Sequence, residues 1–265
     1  MPEGRRTALI PRCRALPHYV QRICVSAAKQ TRRSHTCLRS GGTEGGDPLS
    51  YVMQRVWNVL RAGLQTRGNE SIKRSIWNAE FSKGRWACLD HSPGDPVYRY
   101  IERYANHGSI LDLGCGSGNT ATELNAAEYH DYTGVDVSDV AIEMARARLK
   151  PSHAIGTIRY IRNDIYRYIP SQTFTVILFR DSIYYIPPAK IRGLLERYSQ
   201  YLARDGVFIA RLWQTTGRHQ FIVETIKRAF EIVELYRTGE ASTAVIVFRP
   251  PRGVGSAEAG QSGLD

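Results

Sequence analysis

Three alternating glycines form the segment of this sequence with the clearest chemical potential. Gly114, Gly116 and Gly118 follow an apolar run over residues 109–113, which predicts a buried strand, and precede residues 120–127, which predict a helix. Glycines let the backbone turn sharply and let a ligand approach without meeting a Cβ atom. The free N–H groups at the start of the helix favour an anion. The segment therefore predicts a strand–turn–helix that binds a ligand.

An acid at the end of the second predicted strand indicates a ligand that contains a ribose. Asp136 lies 22 residues beyond Gly114, close to the spacing at which a carboxylate holds a ribose diol. The dinucleotide fingerprint needs its third glycine one place later, where this chain has Asn119. The spacing is instead acid-x-Gly-x-Gly-x-Gly, beginning at Asp112. A nicotinamide enzyme, and a structural glycine turn with solvated acids, stay as alternatives.

This spacing resembles motif I of the class I S-adenosylmethionine-dependent methyltransferases, and the resemblance extends over roughly residues 96–248. It implies that the turn wraps the methionine part of the cofactor while Asp112 helps to orient it and Asp136 holds the ribose hydroxyls. Asp164 would contact the adenine amino group, with Val137 and Ile165 on either side of the ring. The residues expected to bind the cofactor are Asp112, Gly114, Cys115, Gly116, Gly118, Asp136, Val137, Asp164, Ile165 and Arg180.

The fourth predicted strand leads into the segment expected to hold the methyl acceptor. In such folds the substrate lies beyond the carboxyl ends of the strands. Asp181 is the candidate base, or the hydrogen-bond acceptor that aims an amine or hydroxyl, because a base helps only when the acceptor loses a proton. The alternative is a carboxylate paired with Arg180 or capping the next turn. Tyr184 and Tyr185 are candidates to line the acceptor pocket.

The same segment argues against several acceptors. The resemblance associates methylation of exocyclic base amines with an Asn/Asp-Pro-Pro-aromatic motif, which this chain lacks, and neither Cys88 nor Cys115 stands in the Pro-Cys setting of cytosine-C5 enzymes. A strand followed by Tyr-Tyr looks like bacterial methyltransferases of small molecules and saccharides, including the nodulation type that N-methylates a chito-oligosaccharide. We therefore expect a small polar metabolite or saccharide, methylated on oxygen or nitrogen.

Aromatic residues before the cofactor domain predict a lid. Arg85 and Trp86 follow Gly84, which gives a hinge, and in related enzymes this region folds over the cofactor. For the nearby Trp77 and Phe81, core packing is at least as good an interpretation. Trp213 is a further candidate pocket wall. No cluster of His, Cys and carboxylates has the spacing of metal ligands, so no metal is expected.

The pattern of apolar residues predicts a doubly wound α/β fold. Strands alternate with helices, and a closing pair too close for a crossover helix predicts an antiparallel hairpin. The prediction is a mostly parallel, seven-stranded, Rossmann-like sheet with an antiparallel last strand and a helical N-terminal cap. The predicted domains are a disordered basic extension (1–46), a helical cap or lid (47–95), the cofactor domain (96–250) and a flexible tail (251–265).

The net charge of +11 is concentrated at the N-terminus, where residues 1–46 hold nine Lys or Arg and two acids. Nucleic acid is therefore not the expected partner, and the irregular cysteines favour a reducing, cytoplasmic setting without a membrane span. An RNA-directed methyltransferase that uses this basic arm, and a cofactor-binding pseudoenzyme, are the alternatives. Residues 1–46 also fit a transit peptide, or an upstream segment with Met53 as the start. The sequence leaves the oligomeric state open.

Overall fold

The computed structural model describes residues 59–90, 92–149, 156–213, 215, 219–237 and 243–251. The basic extension predicted over residues 1–46 lies outside these residues, as does all of the predicted tail except Pro251. The disorder and flexibility expected there stay predictions.

The described chain begins with three helices, after which most strands are followed by a helix, as the sequence pattern predicts. The helices are α1 (59–67), α2 (Glu70–Ser82), α3 (Val97–Ala105), α4 (Asn119–Glu123), α5 (Asp139–Ala147), α6 (Pro188–Ser199) and α7 (Gln220–Ala229). The strands are β1 (Ser109–Leu113), β2 (Asp131–Asp136), β3 (Thr157–Arg162), β4 (Phe174–Arg180), β5 (Leu202–Leu212), β6 (Glu231–Arg237) and β7 (Ala244–Arg249). Short 3₁₀ turns cover Ala87–Leu89, Ala126–Glu128 and Ile183–Tyr185.

The seven strands form one sheet in the order β3-β2-β1-β4-β5-β7-β6. The first five pair in parallel, whereas β7 runs antiparallel to both β5 and β6. The predicted fold class is therefore confirmed. The connection between β6 and β7 is too short for a crossover helix, so the two strands form a hairpin, and β7 inserts between β5 and β6.

The sheet is covered on both faces, which explains the run of consecutive apolar residues in the middle of β4. In β4, Ile177 and Phe179 pack into one buried cluster, with side chains from α6 and α7. The alternate residues Val176 and Leu178 pack into the other cluster, with side chains from α3 and α5. Successive strand residues point to opposite faces, so a strand segment buried on both sides is mostly hydrophobic.

Two predicted helices end earlier than expected. The helix expected over 120–127 is α4, which ends at Glu123, and the side chain of Asn125 then caps a separate turn by accepting from the Ala127 N–H. The sequence pattern predicts a further helix over residues 188–202, which is α6 and ends at Ser199, because Leu202 already pairs with Phe174 as part of the sheet. Within the described part of the chain, none of the helices combines the length and the apolar character needed to cross a bilayer.

The stability of the fold can be tested at two glycines. Gly118 has φ +78°, and an added Cβ would lie 2.7 Å from the Tyr160 hydroxyl and 2.8 Å from the Ala145 Cβ. We expect Gly118→Ala to lower the free energy of unfolding by about 1–3 kcal/mol. In the control Gly193→Ala, on α6, an added Cβ meets nothing within 4 Å, so we expect a gain of about 0.5–1 kcal/mol. Urea unfolding measures both, and equal effects would contradict the assignment of strain to Gly118.

Candidate functional site

A cleft opens at the carboxyl ends of the parallel strands, between the sheet and the cap helix α2. Its empty space, including the open mouth, is about 1060 Å³. Residues that follow β1, β2, β3 and β4 line one side, and residues of α1, α2 and the segment after α2 line the other. Ligands of doubly wound sheets bind at this edge, so the cleft is the candidate site.

The glycine turn after β1 is closed onto the end of β2 by hydrogen bonds. The N–H groups of Gly114 and Cys115 both donate to the carbonyl of Val135, at 2.8 and 3.1 Å. A Cβ atom on Gly114 would lie 2.5 Å from the Ser182 Cβ, so the turn passes too close to the segment after β4 for any side chain. Burial raises the pKa of the Cys115 thiol well above its ordinary value, which disfavours it as a nucleophile.

Asp136 joins the end of β2 to the same turn. One of its carboxylate oxygens accepts from the Gly116 N–H at 3.0 Å, and the other accepts from the Ser138 N–H at 2.9 Å. Burial raises the pKa of Asp136 to about 6 despite these two bonds. A carboxylate has about four acceptor positions, so Asp136 keeps capacity for ligand hydroxyls.

Asp112 lies beneath the turn and outside the residues that line the cleft. It is fully buried, and its carboxylate accepts from the Tyr132 hydroxyl. Burial raises the pKa of Asp112 to about 6. The structure thus places this acid as a support of the turn, and contact with the methionine part of a cofactor stays a prediction. Gly118 also lies outside the lining, where it packs against Tyr160 and Ala145.

Asp164 lines the cleft beyond β3, together with Ile165 and with Val137, which follows β2. Its carboxylate accepts from the Tyr166 N–H at 2.8 Å and from the Nζ of Lys73 at 3.2 Å. Lys73 lies on α2, 91 residues earlier in the chain. Sequence reasoning missed this lysine, since nothing in the local pattern connects it to Asp164.

Asp181 lies in the cleft wall after β4 with both carboxylate oxygens engaged. One oxygen accepts from the Tyr184 hydroxyl and the other from Nη1 of Arg211, each at 2.5 Å. The expected alternative partner, Arg180, instead donates to Ser92 at 2.6 Å and approaches Asp95 at 3.5 Å. Adjacent residues at a strand end point to opposite sides, so Arg180 and Asp181 diverge. Arg211 could have been found as a charged residue inside the apolar run of β5.

Aromatic side chains from the cap cover the cleft. Trp77, Phe81 and Trp86 line it, and the Trp77 ring meets the ring of Tyr185 edge-on, with centroids 4.7 Å apart. Tyr185 also lines the cleft, as expected for an acceptor pocket.

Three other candidates lie outside the lining. Arg85 forms a 2.7 Å ion pair with Glu80, which also pairs with Arg61. Tyr184 stacks on His219, with centroids 4.7 Å apart, and its hydroxyl accepts from the N–H of Trp213. For these residues, lid and substrate roles stay predictions.

Four residues of the cleft carry buried polar atoms that have no hydrogen-bond partner among the described residues. They are the donors Trp86 Nε1 and Arg180 Nε, the acceptor Asn119 Oδ1 and the hydroxyl of Tyr166. Buried polar groups are normally satisfied, so these atoms indicate a polar ligand in the cleft. Among the residues that the structure describes, no three His, Cys, Asp or Glu side chains are grouped to hold a metal ion.

Comparison with known proteins shows a similarity to methyltransferases. Residues 110–206 match the family described as "Methyltransferase domain". An mRNA cap guanine-N(7) methyltransferase of Schizosaccharomyces pombe is 26% identical over 218 aligned positions, which cover 72% of this chain and 59% of that protein. A sterol 24-C-methyltransferase of Pneumocystis carinii is 23% identical, covering 64% of this chain and 48% of that protein. The chain thus spans about half the length of these curated relatives.

A solved structure has the same fold. The N-methyltransferase NodS of Bradyrhizobium japonicum, in complex with S-adenosyl-L-homocysteine, superposes with a TM-score of 0.53 and 18% identity. The match covers 68% of this chain and 98% of that one.

The buried carboxylate of Asp136 gives a test by pH. Its pKa is raised from 3.8 to about 6 in the fold, so the folded state binds the proton more tightly than the unfolded state, and stability falls as pH rises from about 4 to 6. Asp136→Asn has no titrating carboxylate at this position. We therefore expect the free energy of unfolding of the variant to rise relative to that of the wild type between pH 4 and 6.5. Urea unfolding across this range measures the gain.

Gly193→Ala supplies the control, because it changes no titratable group and should differ from the wild type by a constant amount across the same range. Parallel pH profiles for Asp136→Asn and the wild type would contradict the raised pKa.

Proposed function

We propose that this chain is a class I S-adenosylmethionine-dependent methyltransferase that transfers a methyl group to oxygen or nitrogen of a small polar metabolite or saccharide. One observation carries the proposal. The glycine turn, Asp136 and Asp164 line a single cleft whose wall continues to Asp181. The groups proposed to bind the cofactor and a candidate acceptor-binding group therefore share one cleft.

The residues of the cleft fit the cofactor from end to end. Asp136 has acceptor capacity for ribose hydroxyls, and Asp164 for an adenine amino group. Val137 and Ile165 offer apolar surface to the ring.

The amino-acid end of the cofactor also finds matching groups. The unpartnered donors of Trp86 and Arg180 suit a carboxylate, and the unpartnered acceptor of Asn119 suits an ammonium. When bound, the cofactor supplies a methyl group on a sulfonium, which is already a strong leaving group. The protein therefore has mainly to align the acceptor and exclude water.

Asp181 is the group best placed to align the acceptor. Arg211 and Tyr184 hold its two carboxylate oxygens, and its side chain is 10% exposed. Each oxygen keeps acceptor capacity, so a hydroxyl or amine hydrogen can be aimed along a fixed direction. With its carboxylate held in this way, Asp181 acts as a hydrogen-bond acceptor and takes the proton when the acceptor must lose one.

An RNA acceptor is the second candidate, because one relative is an mRNA cap methyltransferase and residues 1–46 are basic. Salt dependence separates the two. Phosphate contacts make binding fall steeply with ionic strength, whereas binding of a small neutral acceptor changes little.

The cofactor is tested by calorimetric titration with S-adenosylhomocysteine, with NAD as the control ligand. We expect micromolar binding of the former alone, and a loss of about 1.5–3 kcal/mol in Asp136→Ala, the scale of hydrogen bonds to a charged group. Asp131→Ala, at the opposite end of the same strand, should bind like the wild type. Binding of NAD, or of neither ligand, would refute the proposal.

The acceptor role of Asp181 is tested by Asp181→Asn. We expect turnover to fall about 10²-fold or more, the scale of one positioned acid–base group, while the affinity for S-adenosylhomocysteine stays within threefold. Methyl transfer to a panel of amines and saccharides measures turnover, and titration measures affinity. Wild-type turnover in this variant would remove Asp181 from the chemistry.

A further inference from the structure

We propose that Lys73 is a positioning residue that couples docking of the cap helix α2 to binding of the adenine end of the cofactor. The inference rests on the proposed function, because it takes Asp164 as the acid that receives the adenine amino group. The cap would then contribute to the affinity for the cofactor, in addition to its expected role as a lid.

The Lys73–Asp164 contact is a buried ion pair between two parts of the chain. Nζ lies 3.2 Å from the carboxylate, and the two side chains are only 11% and 8% exposed. The same ammonium lies 4.5 Å from the centre of the Tyr166 ring. All three residues line the cleft, so the pair lies where a ligand would bind.

The carboxylate of Asp164 is fixed in position and can accept a further hydrogen bond. Its carboxylate accepts from the Tyr166 N–H, and its carbonyl accepts from the N–H groups of Arg167 and Tyr168, which fixes the turn after β3. With Lys73 and Tyr166 as donors, acceptor capacity remains for an amino group. Lys73 and an adenine amino group can therefore share the carboxylate.

The same helix also reaches, through Ser138, the other acid expected to bind the cofactor. Asn78, on α2, accepts from the Ser138 hydroxyl at 2.7 Å, and the Ser138 N–H donates to Asp136. Side chains of α2 thus contact the segments that follow both β2 and β3. The position of the cap helix is therefore linked by hydrogen bonds to Asp164 directly and to Asp136 through Ser138.

Because the ion pair is buried, the link between the cap and Asp164 depends strongly on the charge of Lys73. Removing one partner of a buried ion pair leaves an uncompensated charge, which is strongly unfavourable. Without Lys73, Asp164 would draw water into the cleft or turn away from it, and α2 would lose its attachment at the adenine end. A ligand bound to Asp164 would then no longer hold the cap.

The test compares Lys73→Met, which keeps the length of the stem, with Lys73→Arg, which keeps the charge. We expect the Met variant to bind S-adenosylhomocysteine about 10-fold more weakly, within the usual range of coupling between sites, and the Arg variant to recover to within threefold of wild type. Hydrogen exchange should show that the ligand protects residues 70–82 in the wild type but not in Lys73→Met.

Two controls separate positioning from general stability. Arg74→Met removes another ion pair between α2 and the rest of the fold, the pair of Arg74 with Asp139. Neither residue lines the cleft, so the variant should bind S-adenosylhomocysteine as tightly as the wild type. Asp164→Asn should abolish the ligand-induced protection even with Lys73 present, and adding Lys73→Met to it should cause little further loss of affinity. Asp164→Asn thus tests the coupling if Lys73→Met folds poorly.

Wild-type affinity and protection in Lys73→Met would overturn the inference, and so would wild-type protection in Asp164→Asn. Tighter binding in Lys73→Met would also overturn it, because the lysine would then compete with adenine. If the unmodified chain does not bind S-adenosylhomocysteine, the proposed function fails and this inference fails with it. If the unmodified chain binds but the variants differ from these expectations, only the role of Lys73 is overturned.

Discussion

The hydrogen bonds between the glycine turn and the end of β2 are the interaction on which the cleft depends. Two backbone N–H groups share the carbonyl of Val135, and the Gly116 N–H binds Asp136. These bonds exist because β1 and β2 are parallel and in register, with Leu113 opposite Val135. The turn leaves β1 where β2 ends, so the glycine backbone and the acid are placed together. Most other residues of the cleft follow β3 and β4 or belong to the cap, on either side of this turn.

The buried carboxylates in and beneath the cleft differ in their partners. Among the described residues, Asp112 and Asp136 have no cationic side chain hydrogen-bonded to them, and burial raises the pKa of both. Asp164 and Asp181 each pair with a cation instead, Lys73 from the cap and Arg211 from β5. The first two acids lie near the ends of β1 and β2, whereas the other two follow β3 and β4.

The cap contacts both parts of the proposed site. Its aromatic residues Trp77, Phe81 and Trp86 line the cleft, and its Lys73 reaches Asp164. Proteins similar to this chain are described as acting on an mRNA cap guanine and on a sterol. Similar proteins thus act on different acceptors. In this chain the cap and the segment after β4 line the part of the cleft where we propose that the acceptor binds.

The sequence by itself determined the sheet, the glycine turn and the acids at the strand ends, because strand and helix periods and the spacing within one β-turn-α unit are local properties. It also predicted the closing hairpin. Only the tertiary structure decided the partners of those acids. Asp181 pairs with Arg211, since Arg180 points the other way, and Asp164 pairs with a lysine 91 residues earlier. Asp112 proved to lie beneath the turn, and Arg85 proved to be held by Glu80. Packing of the cap on the strand ends joins residues with no fixed separation along the chain, so no local pattern encodes these pairs.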